Sequence, residues 1–135
     1  FVGLKLSRGE TEGLELAEQM RAAGLAVTDL SGDEMAKVHV RYMVGGRNSA
    51  VRDEHLFRFE FPERPGALRD FLEQVAGRWN ISLFHYRNHG AAFGRVLCGM
   101  QVPAAELADC REALNNVGYE YSEETQNPAY KLFLA

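Results

Sequence analysis

The sequence predicts an α+β chain: a ferredoxin-like βαββαβ sandwich, with an antiparallel sheet and helices on one face, preceded by a partial βαβ repeat. Three observations predict it. His55-Leu56-Phe57-Arg58-Phe59-Glu60-Phe61 alternates strictly, with three Phe on one side and Arg58 and Glu60 on the other, as a half-buried strand requires. From residue 55 onward the elements read strand–helix–strand–strand–helix–strand, two βαβ units joined by a hairpin. Residues 1–30 supply only strand–helix–strand, which overlays the second half of that unit. Val2-Gly3-Leu4-Lys5-Leu6 falls on Cys98-Gly99-Met100-Gln101-Val102, and Ala23-Gly24-Leu25 falls on Val117-Gly118-Tyr119.

Each element has a local reason. Residues 1–6 alternate and read as a strand, and residues 10–23 bring Leu16, Met20 and Ala23 onto one helical stripe that Gly24 ends. Leu25 to Leu30 reads as a second strand. Ser31-Gly32-Asp33 offers an N-cap for a helical stretch through Met43-Val44, stopped by Gly45-Gly46, and the polar residues 47–54 read as a linker. Pro62-Glu63-Arg64-Pro65-Gly66 breaks the phenylalanine strand, with Pro65 suited to a first helical turn. Leu68, Phe71, Leu72, Val75 and Trp79 then follow helical spacing. Residues 80–87 read as a strand, 88–94 as a glycine-bearing hairpin loop, and 95–102 as the returning strand. Leu107, Cys110, Leu114 and Val117 mark a helix closed by Gly118. Tyr119-Glu120-Tyr121 is a short last strand, and the tail 128–134 is apolar enough to pack.

The expected organisation is therefore residues 1–31 as half of a first subdomain, 32–54 as a neck helix and linker, and 55–135 as a complete second subdomain. The chain begins on Phe1, inside an alternation, and reads as a fragment of something longer. A strand at residues 1–6 without its sheet neighbours presents an apolar edge, expected to pair with another chain or to repack.

Composition narrows the function classes. With 46% hydrophobic and 25% charged residues, the 135-residue chain is globular rather than disordered. No apolar run approaches a membrane span. A net charge of -4 argues against nucleic acid or anionic membrane as partner. The basic residues are mostly Arg, which suits carboxylate or phosphate recognition and is also what a GC-rich genome encodes. Two cysteines, Cys98 and Cys110, make neither a disulfide framework nor a zinc site and fit a reduced, cytoplasmic chain.

No nucleophile, metal or phosphate-loop constellation is present. Glu123-Glu124 point to opposite sides of an extended segment. His85 and His89 run from a strand into a loop, which destroys a shared metal-binding face. Two features remain. Alternation on 80–87 puts Phe84 and Tyr86 on one face and Leu83, His85 and Arg87 on the other, so that one face meets the helices and the other is free for a neighbour or ligand. Arg87 needs a carboxylate partner, internal or from a ligand. The second feature is Pro62 to Leu68: Gly66 stands where a helix begins and leaves backbone N–H groups unshielded, a place for a small anion such as an amino-acid carboxylate.

Several strings resemble a known family. Asp33 to Arg47 (DEMAKVHVRYMVGGR) resembles the neck between two regulatory subdomains of biosynthetic threonine ammonia-lyase (threonine dehydratase). Phe59 to Leu68 (FEFPERPGAL), Trp79 to Gly90 (WNISLFHYRNHG), Gly94-Arg95-Val96-Leu97 and Glu124 to Tyr130 (ETQNPAY) are similar to its second ACT-like subdomain. The resemblance covers nearly the whole chain. It implies the allosteric region of a pyridoxal-phosphate lyase that deaminates threonine to 2-oxobutanoate on the way to isoleucine. It also implies that the cofactor and catalytic residues lie upstream, with none in this chain. Isoleucine as inhibitor and valine as antagonist are the implied effectors, and the chain's own catalytic domain and a homo-oligomer the implied partners. Carried over, the effector site is Glu63, Arg64, Pro65, Gly66, Ala67 and Leu68, with Leu83, Phe84, His85, Tyr86, Arg87 and Asn88. Tyr86 and Arg87 lead, Leu68 and Leu83 border the apolar side chain, and Arg41 in the neck transmits the state. Competing classes are a purely structural or assembly module and an RNA-binding sheet. The latter needs aromatics on strand 95–102, which has none.

Overall fold

The computed structural model describes residues 4–40, 50–75, 77–88, 90 and 92–134. The elements run α1 (Glu10–Ala22), α2 (Glu34–Val38), β1 (Glu54–Pro62), α3 (Ala67–Val75), β2 (Asn80–Arg87), β3 (Phe93–Gln101), α4 (Leu107–Val117), β4 (Glu120–Glu123) and α5 (Pro128–Phe133). The chain divides into two compact units, residues 1–33 and 34–135.

In the second unit the four strands form one antiparallel sheet in the order β2-β3-β1-β4, the ferredoxin-like arrangement. The alternation of β1 carries its packing. Phe57, Phe59 and Phe61 are buried, and with Val96, Cys98 and Met100 of β3 they meet Phe71 and Val75 of α3 and Cys110, Ala113 and Leu114 of α4. Phe71 sits between two of the β1 rings, with centroids 5.1 Å from both Phe59 and Phe61. The predicted α3 ends sooner than its spacing implies. The helix stops at Val75, and Trp79 reaches the core from the following turn, its indole N–H donating to Glu106 at 2.9 Å.

The face opposite α3 and α4, expected to be free, is covered. Leu56 and Leu97 project from that side and are fully buried. Met35, Ala36 and His39 at α2 are buried as well, and His39 Nδ1 lies 2.8 Å from Nδ1 of His85 on β2. At the other end α5 closes in: Ala129 and Tyr130 are buried, and the Tyr130 hydroxyl donates to Glu54 at 2.6 Å. Asn127 caps α5 by accepting from the Ala129 amide at 2.8 Å, with Pro128 in the first turn. The tail thus packs as its apolar composition predicts, and it does so as a helix. Leaving Leu56 and Leu97 in water would forfeit their transfer free energy, so this face too acquires a cover.

In the first unit α1 forms as expected, and Glu12 reaches back to accept from the Ser7 and Arg8 amides at 2.8 and 2.7 Å. Among the described residues, 4–6 and 25–30 make no ladder. Alternation permits a strand, but a strand's backbone groups also need a partner edge, which alternation does not supply. Residues 1–3, Arg41, the expected helix end at Met43-Val44 and His89 lie outside the described residues.

Candidate functional site

At the end of β1 the chain leaves the sheet through Pro62-Glu63-Arg64-Pro65-Gly66. Gly66 adopts φ +87°, which lets this turn close into α3 without the clash a Cβ would bring. The Glu63 amide donates to the Ala92 carbonyl at 2.9 Å and ties the turn to the loop before β3. A cleft of about 360 Å³ opens between the turn, the start of α3 and the outer strand β2. It is lined by Phe61, Pro62, Glu63, Arg64, Ala67, Leu68, Phe84 and Tyr86.

Its floor is apolar and its rim is charged. Phe61 and Ala67 are buried, while Leu68, Phe84 and Tyr86 are 46%, 38% and 46% exposed, large apolar groups open to solvent. Glu63 and Arg64 are adjacent and of opposite charge. The Tyr86 hydroxyl donates to the Glu63 carboxylate, a bond that holds the tyrosine above its ordinary pKa. Arg64 pairs with Asp70 at 2.8 Å. A Cβ on Gly94 would stand 2.5 Å from Glu63 Oε1 and 2.6 Å from Tyr86 Cε2. The tyrosine and its partner lie over the bare backbone of β3 because that residue is glycine.

Six of the sequence-predicted residues therefore meet in one place: Glu63, Arg64, Ala67, Leu68, Phe84 and Tyr86. Pro65 and Gly66 shape the turn without lining the cleft. Asn88 follows β2, its side chain accepting from the Gly90 amide at 2.6 Å. Leu83, His85 and Arg87 belong to the opposite face, where Arg87 neighbours His39 rather than the cleft. There Arg58 pairs with Glu124 at 2.9 Å, and Arg95 pairs with Glu60. Burial is the main reason His39 falls to a pKa of about 3, with repulsion from His85, Arg58, Arg87 and Arg95 adding to it. Pro62, the first residue of the predicted Pro62–Leu68 feature, lines the cleft as well, whereas Phe61 and Gly94 are lining or supporting residues that the sequence reading missed. Phe61 was visible as a core residue, and Gly94 as one of two loop glycines, but neither pattern signals a cleft.

Burial pushes the Cys98 and Cys110 thiols up to about 12 and about 11, and both are free. Among the described residues no three His, Cys, Asp or Glu side chains cluster as a metal site. Among the described residues no helix is long and apolar enough to cross a membrane.

A β2-β3-β1-β4 antiparallel sheet with two helices on one face, and a cleft where the first strand turns into the first of them, defines an ACT-like domain of ferredoxin type. Residues 45–134 match the family described as the C-terminal regulatory domain of threonine dehydratase, and the chain belongs to that family. It is 52% identical over its whole length to L-threonine dehydratase biosynthetic IlvA of Burkholderia multivorans and 53% identical to that of Escherichia coli, covering 26% of each. Over 93% of its length it is 47% identical to the mitochondrial threonine dehydratase of Saccharomyces cerevisiae, covering 22% of that protein. The chain thus spans about a quarter of the length of the curated relatives it matches.

Proposed function

We propose that this chain is the effector-sensing part of a threonine dehydratase and that the cleft takes a branched aliphatic amino acid, isoleucine as inhibitor and valine as its antagonist. One observation carries the reading: adjacent opposite charges, Glu63 and Arg64, stand at the rim of an apolar cleft floored by Phe61 and bordered by Leu68 and Phe84. A free amino acid has the complementary pattern, an ammonium for Glu63, a carboxylate for Arg64 and the start of α3, and a hydrocarbon side chain for the floor. The volume is at the small end of ligand sites, which run from roughly 300 to 1,000 Å³. On this reading threonine deamination to 2-oxobutanoate, in the service of isoleucine synthesis, occurs elsewhere in a cytoplasmic homo-oligomer. Pyridoxal phosphate would be held there too. Lys5 and Lys131 are exposed and neither lines the cleft, so neither is placed to hold it here.

Calorimetry on the chain with isoleucine and valine tests the assignment. Tyr86→Ala and Glu63→Gln are each expected to weaken binding about tenfold or more, as loss of a charge-assisted contact does. Unchanged affinity in both refutes the site. A second reading, an assembly module, is favoured by the exposed apolar side chains around the cleft together with Phe93 at the start of β3, itself 49% exposed. Sedimentation over a concentration series separates the two: a dimer indifferent to isoleucine would support assembly.

A further inference from the structure

Tyr86 and His85 are neighbours on β2 whose side chains leave the sheet on opposite faces. Tyr86 lines the cleft, whereas His85 meets His39 at the end of α2, the rings edge to face with centroids 5.1 Å apart and an interplanar angle of 78°. Two imidazole nitrogens 2.8 Å apart bond only when one carries a hydrogen and the other a free lone pair, so the contact holds in one mutual orientation. His39 is fully buried, and its Nε2 has no partner among the described residues. Losing the Nδ1 bond would strand a second buried nitrogen. α2 therefore either follows β2 or comes away from it, with little room for a gradual slip.

β2 is one of the two outer strands of the sheet; among the described residues it is bonded to β3 alone, and its ladder slips register between Ile81 and Leu83. We infer that the His39–His85 bond is the joint through which occupancy of the cleft is passed to α2, the helix standing in the sequence between residues 1–33 and the sheet; this rests on the cleft being an effector site. Both histidines are positioning residues, since neither lines the cleft. The charged groups around them are Arg87 on β2, Arg58 and Glu60 on β1 and Arg95 on β3. Arg58 is answered by Glu124 and Arg95 by Glu60.

The His39 amide donates to the Met35 carbonyl at 2.9 Å, so its hydrogen exchange reads the docking of α2. In the whole chain, Tyr86→Phe removes the hydroxyl that binds Glu63. It is expected to change His39 amide exchange about fivefold or more, a typical coupling between sites. The change should vanish in His39→Leu and also in His85→Leu, which breaks the joint while leaving His39 in place. Saturating isoleucine should shift the same amide with the same dependence on both histidines. An effect of Tyr86→Phe that survives both replacements, or no effect at all, overturns the joint. If isoleucine alters exchange nowhere in the chain, the effector reading falls, while the Tyr86→Phe comparison still decides the joint.

Discussion

His39 makes the fold sensitive to acid, and the size of the effect follows from its surroundings. In the unfolded chain its imidazole takes a proton near pH 6.5, while in the fold burial and the cations Arg58, Arg87 and Arg95 hold protonation down to about pH 3. Below pH 6.5 the unfolded chain therefore binds a proton that the folded chain refuses. Stability falls as pH drops, by up to about 1.4 kcal/mol per unit. Between pH 7 and pH 5 the loss from this one group is about 2 kcal/mol. His39→Leu removes the titration while keeping a side chain of similar bulk. Urea unfolding of both chains at half-unit steps from pH 7.5 to 5 reads the difference, to which His85, bonded to His39 and itself held below the ordinary histidine value by burial and Arg87, also contributes. The expected result is a gap between the chains that closes by about 2 kcal/mol on acidification, the variant losing less. Parallel pH curves would refute the placement of a neutral, buried His39 against β2.

Three further outcomes are expected. Gly94→Ala sets a methyl against Tyr86 and Glu63, so isoleucine affinity should fall together with about 1–3 kcal/mol of stability, read by calorimetry and urea unfolding; a neutral result would mean that the tyrosine does not lie over β3. Phe59→Ala, deleting a ring that packs on both Phe71 and Tyr121, should cost about 3–5 kcal/mol in urea unfolding. Cys98 and Cys110 should resist iodoacetamide at pH 8 in the native chain and react once it is unfolded, as mass spectrometry would record.

Much of the second unit was legible because its elements carry their own periodicity. The alternation of Phe57, Phe59 and Phe61 reports a buried face whatever lies opposite, and the split of Phe84 and Tyr86 from Leu83, His85 and Arg87 follows from the pleat alone. That split also explains why only part of the expected effector set reaches the cleft: residues consecutive on a strand cannot all face one ligand. What was not legible depends on distant partners. The cover on the second face rests on His39 meeting His85, 46 residues away, and nothing local to α2 announces that contact. Residues 4–6 and 25–30 carry a pattern fit for pairing yet make no ladder among the described residues, because alternation specifies a face and not a partner. The packing of the tail was legible from its apolar residues, but its helical form was not read although Asn127-Pro128 is a local helix-start signal that the sequence does contain.

β1 has a consequence for how the chain is made. Both strands that flank it are synthesised later, and Arg58 waits 66 residues for Glu124. During that interval on the ribosome the chain displays a phenylalanine-rich β segment with two open edges, the kind of stretch that seeds aggregation. Arg58 and Glu60 interrupt the apolar run at every second position and, still unpaired, keep it charged on one side. The residues that become ion pairs in the finished sheet thus act first as gatekeepers of the nascent chain. Replacing them with apolar side chains would harm yield in the cell well before it harmed the folded domain.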